Sequence, residues 1–239
     1  MNSDNDEIIW IASFDIGKVN FSFYVEEINY SYLFNSSLNI DKNKRYNIDG
    51  TLTVEFQLFM DKLYKNGKKT LIRNIDLTEG TDKSKYFDSD ICYNLFETLD
   101  GYSEYWDKIS YVIVEKQMSF GKKINTMALK LGQSCQSYFM INYGKSIKVI
   151  EFPAFYKTIT LGAPQTKTET KTGKIKYKTL GDRERKKWSV EEGYYILSLR
   201  NDFLTMSEIG EMKKKDDVND VILQLQAFKY LYFVEKIKL

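Results

Sequence analysis

Apolar residues recur along this chain in two rhythms. From Glu7 to Asp15 the chain reads Glu-Ile-Ile-Trp-Ile-Ala-Ser-Phe-Asp, bounded by Gly17. Such a short apolar run predicts a buried strand, with Asp15 at its C-terminal end. Asn20 to Glu26 is aromatic and β-branched and follows after a short Gly-Lys link, which predicts a second strand folded back antiparallel as a hairpin. Ile109 to Glu115 repeats the first pattern and again ends on a carboxylate, Glu115. Thr70 to Leu77 and Ser146 to Phe152 predict two more strands, with Pro153 ending the last. Three- and four-residue steps mark helices instead: Ile91, Leu95, Phe96 and Leu99, ending by Gly101; Met127, Leu131, Tyr138 and Met140 within Asn125 to Ile141; and Val221, Ile222, Leu225, Phe228 and Tyr232. Ser189-Val-Glu-Glu192 has capping-box spacing and predicts a helix through Tyr195, Ile196 and Leu199 that frays near Asn201.

Between Ile28 and Lys69 the pattern weakens. Tyr30 to Phe34 reads as a strand, Asn39 to Gly50 as polar loop and Val54 to Tyr64 as a short helix, and the whole stretch reads as an insertion. With 239 residues, 43% of them hydrophobic and 28% charged, the chain can bury a good core as one domain with insertions. No apolar run reaches the roughly 20 residues of a membrane span and the start is polar, so the expectation is a soluble, intracellular protein with no membrane partner. Cys92 and Cys135 lie far apart with no metal-type spacing and are expected to be reduced thiols.

The chain has no histidine. That excludes Zn-His sites, Ser-His and Cys-His nucleophile pairs and imidazole acid–base catalysis together, leaving carboxylates, lysine or metal-bound water for any hydrolysis. Neither a phosphate-binding G-x-x-x-x-G-K-[ST] loop nor a G-x-G-x-x-G turn is present.

Charge is distributed unevenly. Phe155 to Lys187 holds ten Lys or Arg against three acidic residues, about +7, in a chain whose net charge is +2. The rest of the chain therefore carries about −5. Such a segment, with Tyr156 and Tyr177 interspersed, fits a phosphate backbone. It equally describes a solvated loop or hairpin around Lys171-Thr-Gly-Lys174.

Asp217 and Asp220 open the last helical stretch and project from one face, which makes half a site for a hard divalent cation. Acidic residues also favour a helix N-terminus without any metal, and Asp216 suits the cap. With Asp15 and Glu115 at the ends of neighbouring strands and the last helix crossing over them, four carboxylates can converge on two Mg²⁺ ions about 4 Å apart. That arrangement hydrolyses phosphodiesters without a histidine base.

The motifs Phe14-Asp15-Ile16-Gly17, Val114-Glu115-Lys116-Gln117, Leu129-Lys130-Leu131-Gly132-Gln133 and Lys215-Asp216-Asp217-Val218-Asn219-Asp220 stand in that order along the chain. In them the sequence resembles the RuvC-type Holliday junction resolvases of the RNase H-like superfamily, most nearly the poxvirus-type resolvases. The resemblance implies an α/β fold, an RNase H-like (RuvC-type) mixed five-stranded sheet flanked by helices, and the chain departs from the family pattern in an insertion at about 28–69 and an extended basic loop at about 155–187. It implies Asp15, Glu115, Asp217 and Asp220 as ligands of two Mg²⁺ ions, with Mn²⁺ able to substitute. It further implies a homodimer that nicks opposing strands of branched DNA symmetrically, with Leu129 and Leu131 on the dimer helix. Lys186 and Lys187, just before the helix at Ser189, match the position of a lysine that contributes near the family's active site. Lys157, Lys171, Lys174, Lys176 and Lys178 join them as expected DNA contacts. Were the chain viral, its place would be the host cytoplasm. Another two-metal nuclease of the same fold, cutting RNA–DNA hybrids or flaps, would carry the same acids. An actin-like ATPase domain would share Asp15-Ile-Gly17 but needs two such halves.

Overall fold

Two apolar runs, each ending on a carboxylate, lie side by side at the centre of the sheet. The computed structural model of the chain describes residues 7–35, 38–81, 88–117, 124–169 and 175–239. The central strand β1 (Ile8–Asp15) pairs antiparallel with β2 (Phe21–Asn29). A six-residue helix α1 (Tyr30–Asn35) follows, then α2 (Val54–Lys65), and β3 (Lys68–Ile75) adds antiparallel to β2. Helices α3 (Ser89–Asp100) and α4 (Ser103–Trp106) lead to β4 (Ile109–Lys116), which pairs parallel with β1. After α5 (Thr126–Tyr143) comes β5 (Lys148–Pro153), parallel to β4. The five-stranded order is therefore β3-β2-β1-β4-β5, the mixed sheet flanked by helices that the sequence leads one to expect. The remainder is α6 (Phe155–Thr160), a hairpin of β6 (Thr166–Glu169) and β7 (Ile175–Lys178), then α7 (Asp182–Leu199), α8 (Phe203–Glu211) and α9 (Lys215–Phe228).

Strand residues alternate faces, so the sheet divides its side chains between two cores. Ile9, Ile11, Ile113 and Phe152 pack under α2, α7 and α9. Ala12, Phe14, Val112 and Val114 pack on the other side against α3 and α5, where Leu131, Cys135 and Phe139 are wholly buried. Parity therefore puts Asp15, four residues beyond Ile11, and Glu115, two beyond Ile113, on the face that α9 crosses. From Val218 to Phe228 α9 is buried on nearly every side, as expected of a helix laid between a sheet and a second helical layer.

Four local expectations give way. Tyr30 to Phe34 lies in a helix rather than a strand, because Asn29 Oδ1 accepts the Tyr32 N–H at 2.9 Å and turns the chain as β2 ends. The helix expected to start at Ser189 starts at Asp182, where the Glu184 carboxylate accepts the Gly181 N–H at 3.2 Å. Ser189 is therefore mid-helix. The chain does not merely fray near Asn201: Asp202 Oδ1 accepts the Thr205 N–H and opens α8. Asp216 is not a cap, since Lys214 holds that position and both Asp216 and Asp217 lie in the first turn of α9.

Cys92 and Cys135 are free thiols. Among the described residues no helix is long and apolar enough to cross a membrane.

Candidate active site

The parallel pairing of β1 with β4 aligns Phe14 with Val114, so Asp15 and Glu115 leave the same edge of the sheet on neighbouring strands. The third carboxylate arrives on α9, which is pinned to those strands one turn further along. There the buried Gln224 amide donates to Ser13 Oγ at 3.1 Å and to the Phe14 carbonyl at 3.2 Å. Asp220 thereby comes over the strand ends, and ligand oxygens of Asp15, Glu115 and Asp220 all lie within 4.8 Å of one another. A close crossing of α7 and α9 completes the frame. A Cβ on Gly193 would fall 1.9 Å from Asn219 Oδ1, so only glycine lets the helices meet there. The crossing brings the Ser189 hydroxyl to Asp220 Oδ1, where it donates at 2.5 Å, and Arg185 to Asp220 Oδ2 at 3.4 Å.

Three carboxylates packed this closely repel one another. Burial, and then the charge of Glu115, push the Asp15 carboxyl well above the usual carboxylate range. One cation already sits among them. Lys157, on α6 just past β5, places Nζ 2.5 Å from Glu115 Oε2 and 3.2 Å from Asp220 Oδ2. Burial opposes its charge, yet Glu115, Asp220 and Asp15 together raise its pKa above the ordinary lysine value. A hard oxygen-donor set with excess negative charge fits Mg²⁺ or Mn²⁺ in chemistry, and Asp15, Glu115 and Asp220 are the residues to hold such an ion.

The other expected site residues lie at varying distances from this centre. Asp217 is half-buried on the rim, one helical turn before Asp220 and outside the three-carboxylate group. Burial, and then Asp216, raise its pKa. Asp216 itself accepts from Lys186 at 2.5 Å. Lys186 and Lys187 do not precede a helix but belong to α7, and the exposed Lys187 pairs with Glu191 at 3.5 Å. Lys157 is 3% exposed, with its charge engaged by Glu115 and Asp220 inside the carboxylate cluster. Lys176 and Lys178 are exposed on β7, while Lys171 and Lys174 lie outside the described residues. Leu131 is fully buried within its own subunit, packed in the sheet core, and so is not a surface residue for a partner; Leu129 is half-buried.

Sequence reasoning named Lys157 as a DNA contact but not its place among the carboxylates, and it did not find Arg185, Ser189 or Gln224 as parts of the site. The place of Lys157 follows from the sheet. β5 runs parallel to β4 with Phe152 opposite Glu115, and the turn into α6 just beyond brings Lys157 beside that carboxylate.

No family model matches the chain. It is 32% identical over 252 residues to uncharacterized protein 170L of Invertebrate iridescent virus 6, covering 97% of this chain and 93% of the relative. It is 30% identical over 224 residues to uncharacterized protein 97L of Invertebrate iridescent virus 3, covering 92% and 98%. Similar solved structures include Thermus thermophilus RuvC, at TM-score 0.49 and 8% identity over 93% of this chain and 96% of that one. The fowlpox virus Holliday junction resolvase gives TM-score 0.45 and 18% identity over 93% and 99%. At these identities and scores the structures carry neither substrate nor reaction over to this chain. The two full-length viral matches do establish kinship: the chain belongs to the family of the iridescent-virus proteins 170L and 97L.

Proposed function

We propose that this chain is a divalent-cation-dependent DNA endonuclease that resolves four-way junctions by nicking two opposing strands symmetrically. The observation that carries this reading is the convergence of Asp15, Glu115 and Asp220 around Lys157 at the ends of two neighbouring parallel strands. The resolvase-like motifs at Asp15, Glu115 and Asp217 to Asp220 supply the choice of substrate.

A bound Mg²⁺ would activate water and stabilise the departing oxygen, so no histidine is needed. The chain's own residues do the rest. Asp15, Glu115 and Asp220 would hold the cation, with Asp217 adding negative charge at the rim. Gln224 and Ser189 fix the position and orientation of Asp220. Lys157 and Arg185 hold positive charge beside the carboxylates, where a phosphate oxygen would gather charge as the bond breaks. Lys176, Lys178, Lys186 and Lys187, all exposed, provide backbone contacts that position DNA without reading its sequence.

Two sites must face opposed strands, and an isologous homodimer is the natural way to place them. On α5, Met140 and Ile141 are 49% and 79% exposed, and with Leu129 they offer the apolar surface for such a contact. With relatives from viruses, the place of action on this reading is the cytoplasm of an infected host cell.

The test offers the protein a synthetic four-way junction, a linear duplex and an RNA–DNA hybrid of matched sequence, each with Mg²⁺. Paired, ligatable nicks confined to the junction are expected. Preference for the hybrid would assign the same centre to a ribonuclease, and no cleavage of any of the three would remove the nuclease reading.

A further inference from the structure

Glu115, Lys157, Arg185 and Asp220 form one side of a cavity of about 520 Å³. Its other side comes from the Ile28 to Lys69 segment, through the turn from Tyr46 to Gly50, and from the chain between α6 and β6. These pieces are fastened to each other. The Gln165 N–H donates to the Asp49 carbonyl at 2.7 Å and the Tyr46 hydroxyl to the Thr160 carbonyl at 3.1 Å, while the Ala163 N–H to the Thr158 carbonyl at 2.9 Å closes the turn after α6. Gly162 adopts φ +73°, and a Cβ there would fall 2.7 Å from Leu52 Cγ, so the tight approach of the turn depends on glycine. The wall is a hydrogen-bonded shape.

Apart from its charged side the lining is mainly apolar and aromatic, with Asn47, Thr158, Gln165 and Thr179 adding uncharged polar groups. Phe155, Ile159 and Ile48 stay 55%, 54% and 81% exposed. Trp188 is half-buried and shares a face of α7 with Arg185 and Ser189, the two residues of that helix that hold Asp220. The volume and this mixture of apolar walls with a polar edge are those of a ligand pocket. A second phosphate would find little charge among Phe155, Ile159, Ile48 and Trp188. A flat group with apolar faces and a polar rim, attached to a phosphate at the carboxylates, fits both sides at once.

We propose that this cavity captures an unstacked nucleobase of the strand whose phosphate lies at Asp15, Glu115 and Asp220. The enzyme thereby favours a nucleotide that is unpaired or easily unpaired beside the cleaved bond. Unstacking costs least where pairing is already broken, as at a branch point. The proposal rests on the nuclease reading above and gives the Ile28 to Lys69 segment a task, closing the base pocket.

Phe155→Ala and Ile48→Ala trim exposed side chains and leave the fold intact. Single-turnover nicking is measured on junctions carrying either a normal or an abasic nucleotide on either side of the cleaved bond. The wild type is expected to lose about tenfold or more on the abasic strand at one of those positions, the scale of one base–aromatic stack. Phe155→Ala should lose a similar factor on the normal strand and little more on the abasic one, since both changes remove the same contact. Ile48→Ala should show a smaller loss of the same kind. Wild-type rates for Phe155→Ala on normal junctions overturn the pocket while leaving the nuclease in place. Equal losses for Phe155→Ala on normal and abasic strands would put another ligand in the cavity and also overturn it. A wild-type protein that cuts no branched DNA removes both proposals.

Discussion

The Lys157 ammonium lies 2.5 Å from Glu115 Oε2, with its nearest other carboxylate oxygen, on Asp220, at 3.2 Å. It offsets part of the charge of a three-carboxylate cluster, and it sits where a phosphate would arrive. Lys157→Met should therefore lower nicking on the order of a hundredfold. It should also destabilise the cation-free protein on the order of 3 kcal/mol, because two part-buried carboxylates lose their partner. Mg²⁺ should then raise the melting temperature of the variant more than that of the wild type. Equal Mg²⁺ shifts in the two proteins would show that Lys157 and the cation do not share the carboxylates.

Asp15 gives a pH dependence. Its folded pKa is raised, by burial first and by Glu115 next. The folded chain then holds a proton that the unfolded chain has already lost, so this contribution to stability is complete below the ordinary carboxylate range and lost as pH rises through the elevated value. In chelator, Asp15→Asn should be more stable than the wild type at pH 8, with the gap closing toward pH 4. Denaturant midpoints across that range check it, and a gap that widens toward low pH would reverse the sign.

Asp216 provides an internal control beside the site. Burial pulls its pKa upward, but the hydrogen bond and charge of Lys186 hold it below the usual value. Asp216→Asn should keep nicking within about threefold of wild type, far from the loss of a group acting in the transition state, whereas Asp217→Asn should lower it severely. A larger loss in Asp216→Asn than in Asp217→Asn would give the rim role to Asp216.

A second titration lies away from the site. Glu192 on α7 is pushed up to about 7 by burial and by Asp61 on α2. By the same linkage its contribution is complete below about pH 4.5 and lost as pH rises toward and past 7. Glu192→Gln should raise the melting temperature at pH 8, at about 2–4 °C per kcal/mol for a chain of this size, and leave it nearly unchanged at pH 4.5. A shift of the same size at both pH values would show that ionisation is not its cause.

DNA binding should fall with salt at about −0.9 log unit per log unit for each phosphate contact. Neutralising Lys171, Lys174, Lys176 and Lys178 together is expected to flatten that slope by up to about four units and to weaken all junction sequences alike. An unchanged slope would put the DNA surface elsewhere on the protein.

The sheet and half of the site were open to reading because period-two alternation is local. Ile-Ala-Ser-Phe-Asp15 and Tyr-Val-Ile-Val-Glu115 declare both a buried strand and the face on which each terminal carboxylate emerges. The i, i+3 spacing of Asp217 and Asp220 is just as local. Lys157 was legible as a basic residue but not as the partner of Glu115 and Asp220, because that place depends on β5 lying next to β4, a pairing between distant segments. Ser189 misled because serine followed by glutamate three residues on marks a helix start but also occurs inside a helix, where its hydroxyl is free to reach Asp220. Glu26 is wholly buried, held by Arg200 at 2.9 Å and Lys229 at 2.8 Å. Nothing near it in sequence announces either partner.

The central claim is that Asp15, Glu115 and Asp220 hold a divalent cation that makes this chain a junction-cutting nuclease. It is tested most directly by the nicking rate of a synthetic four-way junction, titrated with Mg²⁺, for the wild type and for Asp220→Asn. Paired nicks in opposing strands, saturating in Mg²⁺, are expected for the wild type, and intact junction binding without nicking for Asp220→Asn. Nicking by Asp220→Asn at the wild-type rate, or nicking by the wild type in the presence of chelator, would contradict it.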